Sequence, residues 1–382
     1  MSKIDELIER LCPDGVEYKA LSEVCGLTRG VRVVKKNLSN DGEIPVFQNA
    51  LRPLGYHSAA NRRAGMTFVI CAGAAGQIGY SPCAFWAADD CYTIESSFLS
   101  DRFLYHLLLS KQPRLTSQVR KASIPRLSRV AIENLSIPVP PMEVQEEIVR
   151  VLDSFTELEA ELEAELEARK AQYAIYRDDL INETLHTSDK VKLNNLGVFT
   201  GSTPKKSNRS YFGCDYPFYK PGDFDCGKEV SETADKLSEK GLLASKTVPE
   251  GSSLVVCIGA SIGKVGFASL KGACNQQINV IPPHQDYDPR FIFHCTNSRY
   301  FQDQIKRLGN YSSMPILNLK AFSEIEIPIP SMSKQVEVAA NLDQFDALIN
   351  DISQGLPAEI EARRKQYVYY RDKLLSFKER VH

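Results

Sequence analysis

Two glycine-rich stretches contain the residues of this sequence that come closest to a nucleotide-binding pattern. The first, Gly73-Ala-Ala-Gly76-Gln-Ile-Gly79, does not match the dinucleotide fingerprint GxGxxG, and no helical pattern follows it. The second, Gly259-Ala-Ser-Ile-Gly263-Lys264-Val265, is one residue too short for a phosphate-binding P-loop. It also has Val265 where a Ser or Thr would hold magnesium. We therefore interpret these glycines as parts of tight β-turns.

Other catalytic patterns are missing from the sequence. The letters of a nuclease metal site, PD and ExK, occur at 13–14 and 17–19, too close together to lie on adjacent strands. No NPPY or DPPY motif of an amino-methyltransferase is present, and the six histidines form no Ser/His/Asp pattern. The sequence therefore predicts a protein with no catalytic residues and no metal site.

The ten cysteines occur singly, without CxxC or zinc-finger spacing, which indicates buried, reduced thiols. The N-terminal segment is charged throughout, and no run of about 18 apolar residues occurs. These features predict a protein of the cytoplasm that does not enter a membrane.

The net charge of −2 hides two basic and two acidic segments. Residues 15–130 have a net charge of +7 and residues 190–320 one of +6, whereas 131–186 has −10 and 321–382 has −2. Basic segments favour a polyanion, and an acidic helix suits a protein partner. A solvated surface with an uneven charge is the alternative.

The acidic segments contain a repeat that predicts two long helices. Pro138, Gln145 and Leu152-Asp153 match Pro328, Gln335 and Leu342-Asp343 at a spacing of 190 residues. Apolar residues recur at helical spacing after Pro140-Pro141, which predicts a helix from about 142 to 186. Because chain direction lets the second helix return along the first, we expect antiparallel packing, with Pro357 in a four-residue insertion (354–357) breaking or kinking the second copy. The residues predicted to pack the helices and bind partners are Ile148, Leu152, Phe155, Tyr173, Tyr176, Leu342, Phe345, Tyr367 and Tyr370.

The basic segments also resemble each other. Gly65–Tyr80 parallels Gly251–Phe267, and Ser123–Leu127 parallels Ser313–Leu317. Short β-branched runs between Gly, Pro and Asn predict a mixed sheet in each, with helices at 100–112 and 288–307. The predicted fold class is α+β, with two similar modules joined by two long antiparallel, coiled-coil-like helices in a pseudo-two-fold repeat.

This arrangement closely resembles the specificity subunit of type I restriction-modification systems over nearly the whole chain. The resemblance lies in Pro138-Val139-Pro140-Pro141 with Gln145, in EARKAQYAIYRDDL (167–180) with EARRKQYVYYRDKLL (361–375), and in the opening CPDGVEYKALSEV. It implies target-recognition domains at 1–135 and 189–326, a central helix at 136–188 and a C-terminal helix at 327–382.

The resemblance also implies a function. Each recognition domain would read half of a bipartite, asymmetric site in double-stranded DNA, and the helices would set the spacing and bind two methyltransferase subunits. Restriction/translocase subunits would complete the complex. This chain would itself be non-catalytic and hold no cofactor, with S-adenosylmethionine bound by the methyltransferase partner.

Arg and Lys suit guanine, and Asn and Gln suit adenine, although most protein–DNA hydrogen bonds go to the DNA backbone. The candidate DNA-binding residues of the first module are Arg29, Arg32, Lys35, Lys36, Gln48, Asn49, Arg62 and Arg63. Those of the second are Lys205, Lys206, Asn208, Arg209, Lys220, Gln276 and Gln277. The competing hypothesis is a structural coiled-coil adaptor that binds acidic proteins. The missing motifs argue against a third, an enzyme that acts alone.

Overall fold

Short runs of β-branched and aromatic residues form strands in both halves of the chain. The computed structural model describes residues 3–34, 36, 38–39, 42–226, 229–310, 315–350 and 355–380. The chain folds into two units: unit 1 comprises Met1–Leu162 with Ile360–His382, and unit 2 comprises Glu163–Glu359. Each unit therefore contains one module and one part of each helical repeat.

The first module and the helix after it contain the following elements: α1 Lys3–Leu11, β1 Tyr18–Ala20, α2 Leu21–Val24, β2 Cys25–Arg29, β3 Ile44–Phe47, β4 Gly55–His57, β5 Met66–Ile70, β6 Ile78–Ser81, β7 Trp86–Ala87, β8 Cys91–Ser96, α3 Asp101–Ser117, α4 Arg129–Glu133, β9 Ser136–Pro138 and α5 Met142–Thr187. Strands β2, β8, β5 and β6 form an antiparallel sheet in that order. In the second sheet, ordered β4-β3-β7, β3 pairs antiparallel with β4 and parallel with β7.

The rest of the chain contains β10 Asp189–Lys192, β11 Phe199–Thr200, β12 Phe212–Tyr219, β13 Glu229–Val230, β14 Lys236–Leu237, α6 Glu239–Leu243, β15 Thr247–Val248, β16 Ser253–Val256, β17 Val265–Ala268, β18 Gly272–Cys274, β19 Ile278–Ile281, α7 Pro289–Asn297, α8 Arg299–Leu308, α9 Leu319–Ser323, β20 Glu326–Ile329, α10 Met332–Asn350 and α11 Gly355–Leu374. Its two module sheets are ordered β11-β19-β16-β17-β13 and β14-β12-β18-β15. Parallel and antiparallel pairs occur in both modules, so the predicted mixed sheets are confirmed.

The predicted turns are confirmed for four of the five glycines, whereas Gly79 lies in strand β6. Strands β5 and β6 pair as an antiparallel hairpin, and Gly73 and Gly76 in its turn have φ of +82° and +88°. Strands β16 and β17 form the equivalent hairpin, with Gly259 and Gly263 at +96° and +88°. A residue with a Cβ is strained at such angles, so the turn geometry accounts for these glycines.

The long helix predicted from about 142 to 186 is confirmed as α5. Two parts of it pack antiparallel to the second repeat. In unit 1, Phe155 stacks on Tyr370 at a ring distance of 5.4 Å, and in unit 2, Tyr176 contacts Phe345 at 5.2 Å. The second repeat consists of α10 and α11, and Pro357 lies in the first turn of α11, where proline is tolerated. Gln354 of the insertion lies outside the described residues.

Three further details differ from the prediction. The helix expected at 100–112 continues to Ser117, so Pro113 lies inside α3. The single helix expected at 288–307 is two helices, because Ser298 ends α7 and its hydroxyl accepts a hydrogen bond from the Phe301 amide at the start of α8. The cysteines were all expected to be buried. Seven of those that the structure describes are, but Cys83 and Cys214 are exposed.

The helices share their cores with the modules. In unit 1, Ile148 and Leu152 of α5 belong to one apolar cluster with Phe103 and Leu107 of α3. In unit 2, Leu342 of α10 belongs to a cluster with Phe291 and Phe293 of α7, among others. The helices therefore pack on the modules as well as on each other, so each module is held by a buried apolar contact.

Candidate nucleic-acid interface

A buried histidine joins three elements in unit 1. His106 of α3 is fully buried, and its Nε2 lies 2.7 Å from Asp153 Oδ1 of α5. Its Nδ1 lies 2.8 Å from the Tyr367 hydroxyl of α11. Because a carboxylate only accepts, we assign the proton to Nε2 and the acceptor role to Nδ1, so the tyrosine hydroxyl donates. Arg102 donates to the same Asp153 oxygen at 2.8 Å.

Unit 2 contains the same network. His294 Nε2 lies 2.6 Å from Asp343 Oδ1, and His294 Nδ1 lies 3.3 Å from the Tyr173 hydroxyl. Arg290 Nε donates to both oxygens of Asp343 at 2.9 Å. In each unit, the histidine thus ties a helix of the module to both helical repeats, to an aspartate of one and to a tyrosine of the other.

Burial is the main influence on the pKa of both histidines. It lowers the pKa of His106 to about 4, although hydrogen bonding to Asp153 acts in the opposite direction. Burial likewise lowers the pKa of His294 below its ordinary value. Each aspartate already pairs with an arginine, so its charge is shared and does not offset the cost of a buried imidazolium. A neutral, buried histidine in such a network has a structural role.

The sequence contains a further repeat that corresponds to these networks and that the predictions above do not include. Arg102-Phe-Leu-Tyr-His106 and Arg290-Phe-Ile-Phe-His294 are the same pattern, RFxxH, at a spacing of 188 residues. The two histidines belong to no catalytic pattern in the sequence. Their recurrence in the RFxxH repeat instead indicates that they have the same structural role in both modules. Asp153 and Asp343 belong to the repeat of the helices, and the structure shows that they are the carboxylates that receive the RFxxH histidines.

The repeated glutamines hold the same helices at their first turns. Gln145 Oε1 accepts from the Ser100 amide at 2.8 Å, just before α3, and its Nε2 donates to the Phe98 and Pro140 carbonyls. Gln335 accepts from the Asp288 amide at 2.9 Å, just before α7. This contact explains why glutamine recurs at a spacing of 190 residues.

Some predicted DNA-binding residues of the first module are exposed, and others are used inside the protein. Arg29, Arg32, Lys36 and Asn49 are exposed, Gln48 is half-buried, and Lys35 lies outside the described residues. The Arg62 guanidinium donates to Thr93 Oγ1 and to the carbonyls of Asn61 and Arg29.

Arg63 is held by a carboxylate. Its two terminal nitrogens donate to the two oxygens of Asp101 at 2.8 and 3.1 Å. The Asp101 hydrogen bond raises the pKa of Arg63, which indicates that the protein itself stabilises this charge. In this structure, Arg62 and Arg63 are therefore less available to an external anion than Arg32 and Lys36, whereas Arg29 is exposed but donates through Nε to the Asp89 carbonyl at 2.8 Å.

In the second module, most predicted residues lie in one exposed segment. The segment between β11 and β12 contains four of them, all exposed: Lys205, Lys206, Asn208 and Arg209. The Asn208 side chain accepts from the Ser210 amide and hydroxyl, which orders part of this segment.

The other three candidates of this module have internal partners. Lys220 forms an ion pair with Asp235, and Gln276 accepts from the Thr203 hydroxyl. Gln277 Oε1 accepts from Asn275 Nδ2 at 2.8 Å. Which of the candidates contact DNA stays a prediction.

The predicted helix residues divide by burial. Ile148, Leu152, Tyr173, Leu342 and Tyr367 are buried. Phe155 is half-buried, whereas Tyr176, Phe345 and Tyr370 are exposed. The helices thus combine a buried row with aromatic surface.

Within the described part of the chain, no three His, Cys, Asp or Glu residues are grouped so that they could hold a metal ion. None of the described helices is both long and apolar enough to span a membrane.

Comparison with known proteins identifies relatives of the whole architecture. The chain resembles a type I restriction enzyme specificity subunit of Escherichia coli, with 33% identity over 264 residues, 66% of this chain and 65% of the relative. The aligned region is thus just under two thirds of that relative's length. A type I specificity subunit of Haemophilus influenzae is 28% identical over 379 residues, 95% of this chain and 96% of the relative.

Solved structures share the fold. The S subunit of a type I restriction-modification system from M. genitalium has a TM-score of 0.53 at 17% identity, covering 94% of this chain and 96% of that one. A chain from a structural study of complex assembly and conformational transition in a type I restriction-modification system has a TM-score of 0.58 at 16% identity, covering 94% of this chain and 97% of that one.

The family model of the type I restriction modification DNA specificity domain matches twice, at residues 13–168 and 186–362. Each match contains one module and helical sequence next to it, in agreement with the duplicated networks of the two units. This chain therefore belongs to the type I restriction-modification DNA specificity family.

Proposed function

We propose that this chain selects the DNA target of a type I restriction-modification complex, with each module reading one half of a bipartite, asymmetric site. The observation that carries the proposal is the duplication of the whole assembly. Both modules have a hairpin with a glycine turn and an RFxxH helix, and the histidine of this helix contacts an aspartate of one helical repeat and a tyrosine of the other. Two equivalent modules with different surface residues suit two different half-sites.

The charge distribution supports DNA as the ligand. Net charges of +7 and +6 in the two modules attract phosphate, whereas the helical segment 131–186, at −10, disfavours it. In our proposal, the chain is non-catalytic. The methyltransferase partner binds S-adenosylmethionine, and restriction/translocase subunits join the complex.

Helix α5 suits the role of a spacer. It runs without interruption from Met142 to Thr187, and at about 1.5 Å per residue its 46 residues span roughly 69 Å. DNA-reading elements that address one side of a duplex are spaced in multiples of about 34 Å, one helical turn. We propose that the length of the repeat fixes the number of unread base pairs between the half-sites.

Exposed apolar side chains on the helices support two docking sites for methyltransferase subunits. Ile175 on α5 and Tyr369 on α11 occupy equivalent positions of the repeat, and they are 64% and 62% exposed. Each lies next to an exposed tyrosine, Tyr176 or Tyr370. Because the two surfaces recur at the same place in the repeat, we propose that each binds one copy of the same subunit.

The experiment is to co-express the chain with a methyltransferase subunit from the same genome and to titrate the purified complex with duplex DNA at several salt concentrations. We expect two methyltransferase copies per chain and DNA affinity that falls steeply with salt. Binding that does not depend on salt, or the absence of DNA binding with capture of acidic proteins, would support the adaptor hypothesis instead.

A further inference from the structure

The sequence from Arg102 to Ile132 has a positive net charge, because it contains seven Lys and Arg residues and no Asp or Glu. Arg102 and Arg129 pair with Asp153 and Glu133. The remaining five, Lys111, Arg114, Arg120, Lys121 and Arg126, form no ion pair with any residue that the structure describes. This positive charge is therefore not neutralised by the described residues, in contrast to that of Arg63.

Three of these cations lie on one small loop after α3. The Arg120 amide donates to the Arg126 carbonyl at 2.8 Å, and the Arg126 amide donates back at 3.2 Å, which closes residues 120–126 into a loop. All side chains from Lys121 to Arg126 are exposed, including Ile124 at 54%. We refer to residues 120–126 as the basic loop.

The basic loop is anchored to the glycine turn between β5 and β6. The Gly73 amide donates to the Pro125 carbonyl at 3.1 Å, and the Leu127 amide donates to the Cys71 carbonyl at 2.9 Å. Leu127 is buried and fixes the end of the loop in the core. The backbone is thus held, while the charged side chains are exposed to solvent, which lowers the entropic cost of binding a ligand.

Two predicted DNA-binding residues lie near the same turn. The Asn49 carbonyl accepts from the Ala74 amide at 2.9 Å. Arg29 Nε donates to the Asp89 carbonyl at 2.8 Å, and the carbonyl of the next residue, Asp90, accepts from the Cys71 amide at 2.7 Å. Asn49 and the basic loop therefore contact this turn directly, and Arg29 is bound to a residue next to one that contacts it.

The second module has the same loop scaffold with different side chains. The Gly259 amide donates to the Pro315 carbonyl at 2.9 Å, and the Leu317 amide to the Cys257 carbonyl at 2.8 Å. Asn310 and Ile316 close the loop as Arg120 and Arg126 do in the first module. Residues 311–314 lie outside the described part of the chain.

We propose that the basic loop binds the phosphate backbone of double-stranded DNA through Arg120, Lys121 and Arg126. This inference rests on the proposed function and adds a contact to the DNA-binding residues predicted from the sequence. A fixed loop with three exposed cations suits phosphates, which position a module on the duplex. The different residues on the second scaffold suit a different half-site.

The test uses the full-length chain with Arg120→Ala, Lys121→Ala and Arg126→Ala combined, titrated with a random-sequence duplex at several salt concentrations. Each lost phosphate contact removes about 0.9 from the slope of log affinity against log salt, so we expect a slope shallower by about 2 to 3. The matched control combines Arg10→Ala, Lys378→Ala and Arg380→Ala, which removes the same charge from exposed positions of unit 1. It should retain the wild-type slope.

Three outcomes separate the two proposals. If wild-type chain binds DNA and the loop variant binds with an unchanged slope, or if the control loses as much, the loop assignment is wrong. If wild-type chain shows no salt-dependent DNA binding, the proposed function itself fails. A second variant, Arg120→Lys with Arg126→Lys, keeps the charge and should keep the slope. A slope as shallow as that of the alanine variant, with an unchanged melting temperature, would also contradict phosphate contact, because the slope depends on the number of contacting cations.

Discussion

At the scale of single residues, Asp153 and Asp343 each join the module of their unit to a long helix. Each accepts from one arginine and one buried histidine, so its removal takes an acceptor from both, although Arg290 also donates to Glu229 Oε1. Leaving such groups unpaired costs more than the net value of the bonds. The aspartates thus connect a sequence repeat to the placement of each module on the helices.

We expect Asp153→Leu to reduce the free energy of unfolding by about 2 to 4 kcal/mol, because Arg102 and His106 lose a shared acceptor. The measurement is urea unfolding of the full chain. Glu161→Gln, on the exposed face of the same helix, is the control and should change stability by less than about 0.5 kcal/mol. Equal effects of the two substitutions would contradict the role of the network.

Because burial lowers the pKa of His106, we expect the stability of the folded protein to decrease in acid. The folded-state pKa of His106 is about 4, below its ordinary value of 6.5, so the folded state resists protonation more than the unfolded state. This difference in pKa adds to the free energy of unfolding. The contribution is fully present above pH 6.5 and is lost as the pH falls towards 4, at up to about 1.4 kcal/mol per pH unit. The melting temperature of His106→Gln should therefore fall less over this range than that of the wild type. Parallel curves for the two proteins would show that His106 does not titrate as described.

At the scale of elements, the helices present a buried row, which packs on the modules, and an exposed row, which we propose binds the methyltransferase subunits. The buried row holds the modules, and the exposed row contains Ile175 and Tyr369 at equivalent positions. A charge at an exposed position costs little folding stability but disrupts an apolar interface.

We expect Ile175→Asp and Tyr369→Asp each to leave a complex with one methyltransferase copy, and the double variant to leave none. Native mass spectrometry of the co-expressed complex would measure the stoichiometry. Leu243→Asp, at a residue of α6 that is 79% exposed, is the matched control and should keep both copies. Two copies on the double variant would place the docking surface elsewhere.

Helix α5 contains three consecutive ELEA units at residues 157–168, so a mutation can lengthen the helix by one whole unit. Insertion of a fourth unit adds about 6 Å and slightly more than one turn, so the helical face is nearly kept. We expect both half-sites to remain and the unread spacer to grow by about one or two base pairs, since a base pair rises about 3.4 Å. An unchanged spacer in the methylated motif would show that α5 does not set the distance.

At the scale of the whole molecule, the sequence predicted the repeat, the two mixed α+β modules and the bounds of α5, because prolines and periodic apolar residues mark them locally. It also predicted that Gly73 and Gly259 form turns. The networks of His106 and His294 were not predicted because their partners lie 47 to 261 residues away, and local patterns do not encode such contacts.

The internal use of Arg62 and Arg63 could not be predicted from the sequence either. Both look like free cations in a polar stretch, and only the fold brings Thr93 and Asp101 to them. Conversely, Arg120 and Arg126 become neighbours only because backbone hydrogen bonds close their loop next to the glycine turn.

The central claim is that one chain reads two different half-sites at a fixed distance. The most direct measurement is methylation-sensitive sequencing of host DNA after co-expression of the chain with the methyltransferase of the same genome. We predict a single bipartite motif with one methylated adenine in each half and a constant spacer. Methylation of a continuous or one-part motif, or none at all despite a purified and intact complex, would contradict the claim.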